Sequence, residues 1–234
     1  MDEIRNISEL LKINLAQITP EMDEKVKVWE QMQADERRIR HYRQTVPQRY
    51  WNESLDTYKA DTDERHATGD AVRQFAHAVE LGAFRTLILL GAVGTGKTHL
   101  ACGIIRNVGG LYRLSSTIVE EIRHAKSFGA KETEADILDG YGRTCLLVID
   151  EIGRSSAAQE EQYALYQIIN ERYNRRKPTV LISNQTKKEF LNYVGIAAAD
   201  RLSESAQCIE FTGMSYRAEI RHSGGGCHGH PARV

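Results

Sequence analysis

The sequence predicts an α/β fold in which a largely parallel sheet is covered by helices on both faces, and three observations carry the prediction. Between residues 46 and 180, short apolar runs alternate with longer amphipathic stretches, the pattern of βαβ units. One run, residues 87–90, leads directly into Gly91, Ala92, Val93, Gly94, Thr95, Gly96, Lys97 and Thr98, which satisfy GxxxxGK[ST] at every required position. Another, residues 145–149, ends on two adjacent carboxylates, Asp150 and Glu151.

Taken in chain order, residues 1–45 have the composition of surface helices. Ile4, Ile7, Leu11, Leu15 and Ile18 form one stripe of an amphipathic helix. Thr19 and Pro20 then read as an N-cap and a first helical position. The second helix they open runs to about Tyr42, with Met22, Val26, Trp29 and Met32 as its stripe and arginines 37, 38, 40 and 43 at its basic end. Two helices with one stripe each enclose no core, so this arm must dock on the main domain or on another protein. Val46-Pro47 breaks the pattern. Beyond it, residues 67–80, 97–107, 117–126 and 159–176 read as helices, and 86–90, 112–115, 145–149 and 179–183 as strands. The expected organisation is a helical arm (1–45), an α/β domain (46–222) and a glycine-rich, flexible tail (223–234).

Composition narrows the function classes. The 234 residues are 41% hydrophobic and 27% charged, which excludes wholesale disorder. The net charge of −1 advertises no global field for nucleic acid, so such binding must use a local patch. Four dispersed cysteines, two of them (Cys102 and Cys145) inside apolar segments, point to a cytoplasmic protein without a disulfide framework. The N-terminus lacks the form of a signal peptide, and no apolar run is long enough to cross a membrane.

The glycine-rich segment carries the chemistry. Its glycines let successive N–H groups point at phosphate oxygens, and the helix that follows adds its dipole. Lys97 can reach β- and γ-phosphates, and Thr98 can ligate Mg²⁺. Asp150, at the carboxyl end of a parallel strand, fits the metal-holding role. Glu151, pointing differently, can polarise an attacking water. Asn184 ends the next strand and can touch the γ-phosphate or orient that water. A nucleoside kinase is the weakest alternative, since nothing supplies an acceptor site.

These residues, with 46–50, 55–58, Gly94–Ala101, 146–153, 182–184, 200–202 and 215–217, resemble the AAA+ ATPases, and within them the DnaC/IstB-like group of helicase loaders and transposition ATPases. The resemblance covers residues 46–221. It implies a P-loop NTPase domain of three αβα layers with a five-stranded parallel sheet, binding ATP and Mg²⁺ at a subunit boundary. His99, in the group's Gly-Lys-Thr-His stretch, joins the nucleotide-binding set. Asn184 takes the sensor-1 position, Arg201 that of an arginine finger acting on a neighbouring subunit, and Arg217 that of sensor 2. Without the resemblance, both arginines read as solvated residues.

The resemblance further implies a partner for the arm, a replicative hexameric helicase, and single-stranded DNA within an ATPase oligomer. The short chain after Arg217 leaves little room for a separate helical lid, and the arm carries no cysteine cluster for zinc. The region expected to face DNA is 117–142, with Arg123, Lys126 and Phe128 interleaved, though its many acids make a plain amphipathic helix and loop an equal reading. The functions in play are a bacterial or phage helicase loader, an IstB-like transposition helper, and a nucleotide-gated adaptor with negligible turnover. His222, Cys227, His228 and His230 sit in a flexible tail unsuited to structural zinc.

Overall fold

A computed structural model describes residues 20–213. The first predicted helix, Arg217 and the tail with its histidines lie outside those residues. The chain divides into two compact units, Met1–His41 and Tyr42–Val234. The first contains most of α1 (Pro20–Thr45), on which Val26, Trp29 and Met32 of the predicted stripe are all exposed, as is Val28.

In the second unit a 3-10 turn (Gln48–Tyr50) precedes α2 (Asp63–Glu80), and five strands follow in alternation with helices. They are β1 (Thr86–Gly91), α3 (Lys97–Val108), β2 (Leu111–Leu114), α4 (Ser115–Ala125), α5 (Glu134–Arg143), β3 (Leu147–Ile152), α6 (Ala158–Asn174), β4 (Thr179–Ser183), α7 (Lys187–Val194), α8 (Ile196–Ser205) and β5 (Ala206–Phe211). The sheet is parallel throughout, in the order β2-β3-β4-β1-β5.

Alternation along β1 builds the layers. Leu87 and Leu89 face one core with Phe75 of α2 and Leu100 and Ile104 of α3. Ile88 and Leu90 face the other, with Ile118 of α4, Ile168 of α6, Phe190 of α7 and Leu202 of α8. Both faces of the strand are therefore dry, which is why the sequence shows a continuous apolar run instead of strict alternation.

Four elements were not read from local pattern: α5, α7, α8 and β5. The first two carry capping boxes, Thr133 with Asp136 and Thr186 with Glu189. β3 begins at Leu147, later than the apolar run, because Thr144 caps α5 and leaves Cys145 exposed in the connection. Although the sequence sets Cys145 inside an apolar segment, it is exposed, whereas Cys102 is buried in the core.

Buried Arg172 of α6 ties three elements together. Its guanidinium donates to the carbonyls of Tyr141, Thr144 and Pro178 and to Thr179 Oγ1, at 2.5–2.9 Å. Two of those carbonyls belong to the end of α5, where helix carbonyls lack intrahelical donors.

Candidate functional site

In a parallel sheet the carboxyl ends of all strands open on one edge. With β4 lying between β1 and β3, three predicted functional segments meet there: the loop after β1, the acidic end of β3, and Asn184 after β4. They line a cleft of about 660 Å³, whose far wall is built from the segment before α2, including Arg49, Tyr50 and Tyr58.

The loop turns on glycines where a side chain would be both strained and crowded. Gly91 has φ +122°, and a Cβ there would lie 2.3 Å from the Phe211 carbonyl oxygen. Gly96, the N-cap of α3, has φ +99°, and its Cβ would meet Tyr58 Cε2 at 2.9 Å. Lys97 is 5% exposed, and its ammonium donates to the carbonyls of Gly91 (2.6 Å) and Ala92 (2.7 Å). Burial pushes its pKa down to about 8, against the opposing pull of the Asp150 charge. A buried cation at the N-terminus of α3, beside a loop of upturned backbone, suits an oligophosphate.

Asp150 is 4% exposed and its carboxylate is fully engaged. Oδ2 accepts from the Thr98 hydroxyl (2.7 Å) and the Tyr112 phenol (2.9 Å), and Oδ1 from the Glu151 N–H (2.6 Å). The Thr98–Asp150 contact joins an alcohol and a carboxylate, the hard oxygen donors that Mg²⁺ takes. In the sequence Tyr112 reads only as part of a strand. Its phenol is held in the neutral form by burial and then by the Asp150 charge.

Glu151 stands at the lip. Its φ of +59° is uncommon for a residue with a Cβ, and the β3–β4 register slips between Ile149 and Ile152. That kink separates the directions of the two acids: Asp150 is buried, while the half-exposed Glu151 carboxylate meets Arg154 at 3.6 Å.

The remaining candidates fall into different places. The His99 ring is engaged by Glu53 Oε2 (3.0 Å), the Ser54 carbonyl (2.9 Å) and Thr57 (3.2 Å), so any part it plays at a phosphate falls to its backbone. Arg201 stacks on Tyr166 and lines a small pocket with Thr86 and Thr179, at the amino ends of β1 and β4. That edge is opposite the cleft, so Arg201 cannot serve Lys97 and Thr98 of its own chain. Arg123 forms a two-pronged pair with Glu160 (2.5 and 2.9 Å), and Lys126 pairs with Glu134 (3.0 Å), so acids neutralise the basic cluster expected to face DNA. Phe128 is fully exposed. Among the described residues no cluster of His, Cys, Asp and Glu could hold a metal, and no helix is long and apolar enough to cross a membrane.

A glycine loop on β1, an acid pair on β3 and a polar end on β4 define a P-loop nucleotide-binding protein with an AAA+ core. The chain belongs to the family of IstB-like ATP binding proteins, which it matches over residues 21–224. It is 27% identical over 177 residues to the replicative helicase loader DnaC of Escherichia coli K12, covering 72% of this chain and 71% of that protein. It is 29% identical over 149 residues to an ATP-binding protein of insertion sequence IS232 from Bacillus thuringiensis subsp. berliner, covering 58% and 57%. Its fold is shared with a crystal structure of the DnaC helicase loader (TM-score 0.62, 21% identity, 71% of this chain and 100% of that one). It is also shared with the replication initiator DnaA bound to AMPPCP and single-stranded DNA (TM-score 0.59, 19% identity, 76% and 55%).

Proposed function

We propose that the chain is an ATPase that loads a replicative DNA helicase onto single-stranded DNA. The observation that carries the catalytic part is the Thr98–Asp150 contact of 2.7 Å beside the buried Lys97, with Glu151 turned outward from the same strand end. In this reading Lys97 and the N–H groups of residues 92–99 bind the β- and γ-phosphates of ATP, and Thr98 and Asp150 hold Mg²⁺. When bound, the ion would neutralise charge on the phosphates. Glu151 accepts the proton of the attacking water, and Asn184 orients that water. Arg201 serves the γ-phosphate of a neighbouring copy, which its place at the far edge of the sheet supports and which makes turnover depend on assembly. Arg217 contacts the phosphates of its own subunit.

The similarity to DnaC and the exposed Trp29 and Met32 on α1 support a helicase as the partner of the arm. DNA would meet Phe128 by stacking more than the neutralised Arg123 and Lys126 by charge. The test is Glu151→Gln: ATP affinity within about twofold of wild type and turnover lowered by about 100-fold or more, the scale of a lost general base. Undiminished turnover would remove Glu151 from the mechanism, and absence of turnover in the wild type with DNA and helicase would leave a nucleotide-gated adaptor. The insertion-sequence relative favours a second reading, a helper that directs a transposase. Capture of a transposase instead of a hexameric helicase by the full chain, lost on Trp29→Ala, would establish it.

A further inference from the structure

We infer that Glu161 is a positioning residue for Glu151, an assignment that rests on the hydrolytic reading above. The Glu151 side chain is half-exposed, so its direction is set by the backbone turn in which it stands. That turn combines φ +59° at Glu151 with φ +83° at Gly153, and the first is disfavoured for a residue with a Cβ unless its surroundings impose it.

The surroundings that impose it are visible as hydrogen bonds. Ser115 Oγ donates to the Glu151 carbonyl (3.1 Å), and Ser183 Oγ, next to Asn184, donates to the Ile152 carbonyl (2.7 Å). Within the same turn the Arg154 N–H donates to the Glu151 carbonyl (3.3 Å), but two other amides go to a different group. Glu161 Oε1 accepts from Gly153 N–H (2.9 Å), and Oε2 accepts from Ser155 N–H (3.3 Å) and from the Tyr193 phenol of α7 (2.8 Å). Glu161 is 1% exposed, and a carboxylate so buried persists only where donors satisfy it. Here two of its three donors are backbone N–H groups of the turn that carries Glu151. Glu161 does not line the cleft, so its effect on chemistry passes through the orientation of that turn.

The test uses the full chain and compares Glu161→Gln, Tyr193→Phe and Glu151→Gln. Replacing one carboxylate oxygen by an NH₂ sets a donor against the donors of the turn. Glu161→Gln should lower kcat by about 10- to 100-fold, the scale of a misplacement near 1 Å, with ATP affinity within about threefold of wild type. Tyr193→Phe, which keeps both amide contacts, should lower kcat by about two- to fivefold. In the Glu151→Gln background, Glu161→Gln should cost nothing further, because the group it positions is gone. A merely structural role would give equal losses in both backgrounds and would overturn the assignment, as would wild-type kcat in Glu161→Gln. If Glu161→Gln fails to fold, unchanged kcat in Tyr193→Phe overturns it. If the wild type hydrolyses no ATP, the hydrolytic reading falls and amide hydrogen exchange across 151–155 in Glu161→Gln decides the positioning claim. Faster exchange there supports it, and unchanged protection overturns it.

Discussion

Raising the pH above 8 should weaken nucleotide binding through Lys97. Burial lowers the pKa of that ammonium from 10.5 to about 8, so at pH 9 only about one free molecule in ten carries the charge, against about three in four at pH 7.5. A triphosphate set against Lys97 restores favourable charge and returns the proton. Binding at pH 8.5 should therefore take up about three quarters of a proton, and Kd should rise about eightfold from pH 7.5 to pH 9. In the free protein the unfolded chain binds the extra proton between pH 8 and 10.5, so this residue makes stability rise across that window, by about 3 kcal/mol in full. Cys102 works against it there, since burial keeps its thiol protonated only in the folded state. Binding is thus the cleaner readout. Titration with a fluorescent, non-hydrolysable ATP analogue from pH 7.5 to 9.5 measures Kd, and calorimetry in two buffers counts the protons. A Kd constant within about twofold, with no proton uptake, would refute the assignment of a depressed, phosphate-facing Lys97.

Two further perturbations test the frame around the cleft. Gly96→Ala forces a Cβ into a left-handed conformation and to 2.9 Å from Tyr58, so ATP affinity should fall by about tenfold, near 1.4 kcal/mol. Adding Tyr58→Ala should recover only the steric part, and full affinity in Gly96→Ala alone would contradict the loop geometry. Arg172→Met removes four hydrogen bonds and leaves three carbonyls without their donor, offset in part by no longer burying a charge. A net loss of about 3 kcal/mol should lower Tm by about 10 °C, and a change under about 2 °C in a thermal melt would show that the α5 carbonyls find other partners.

Much of the site could be read from spacing because its parts are contiguous. The stretch from Gly91 to Thr98 is one loop and one helix start, and Asp150 with Glu151 closes one apolar run. What could not be read comes from residues far apart in the chain. Tyr112 meets Asp150 because β2 pairs with β3 in a register that sets Leu114 beside Asp150. Tyr58 meets Gly96 because the segment before α2 folds over α3. The acidic partners of Arg123 and Lys126 were hidden for the same reason, since Glu160 on α6 and Glu134 on α5 meet them only after folding. For α5 and α7 the sequence does hold a local sign: Thr133 and Thr186, each three residues ahead of its acidic partner, are visible capping signals.

By itself the sequence determined the alternating α/β plan and the phosphate loop, because both depend on periodicity and on glycines placed within a few residues of each other. Tertiary structure decided which strands are neighbours, which side chains hold Asp150, and that Arg201 stands at the opposite edge from the cleft. Those choices arise when the sheet brings β4 between β1 and β3, and no local preference encodes that order.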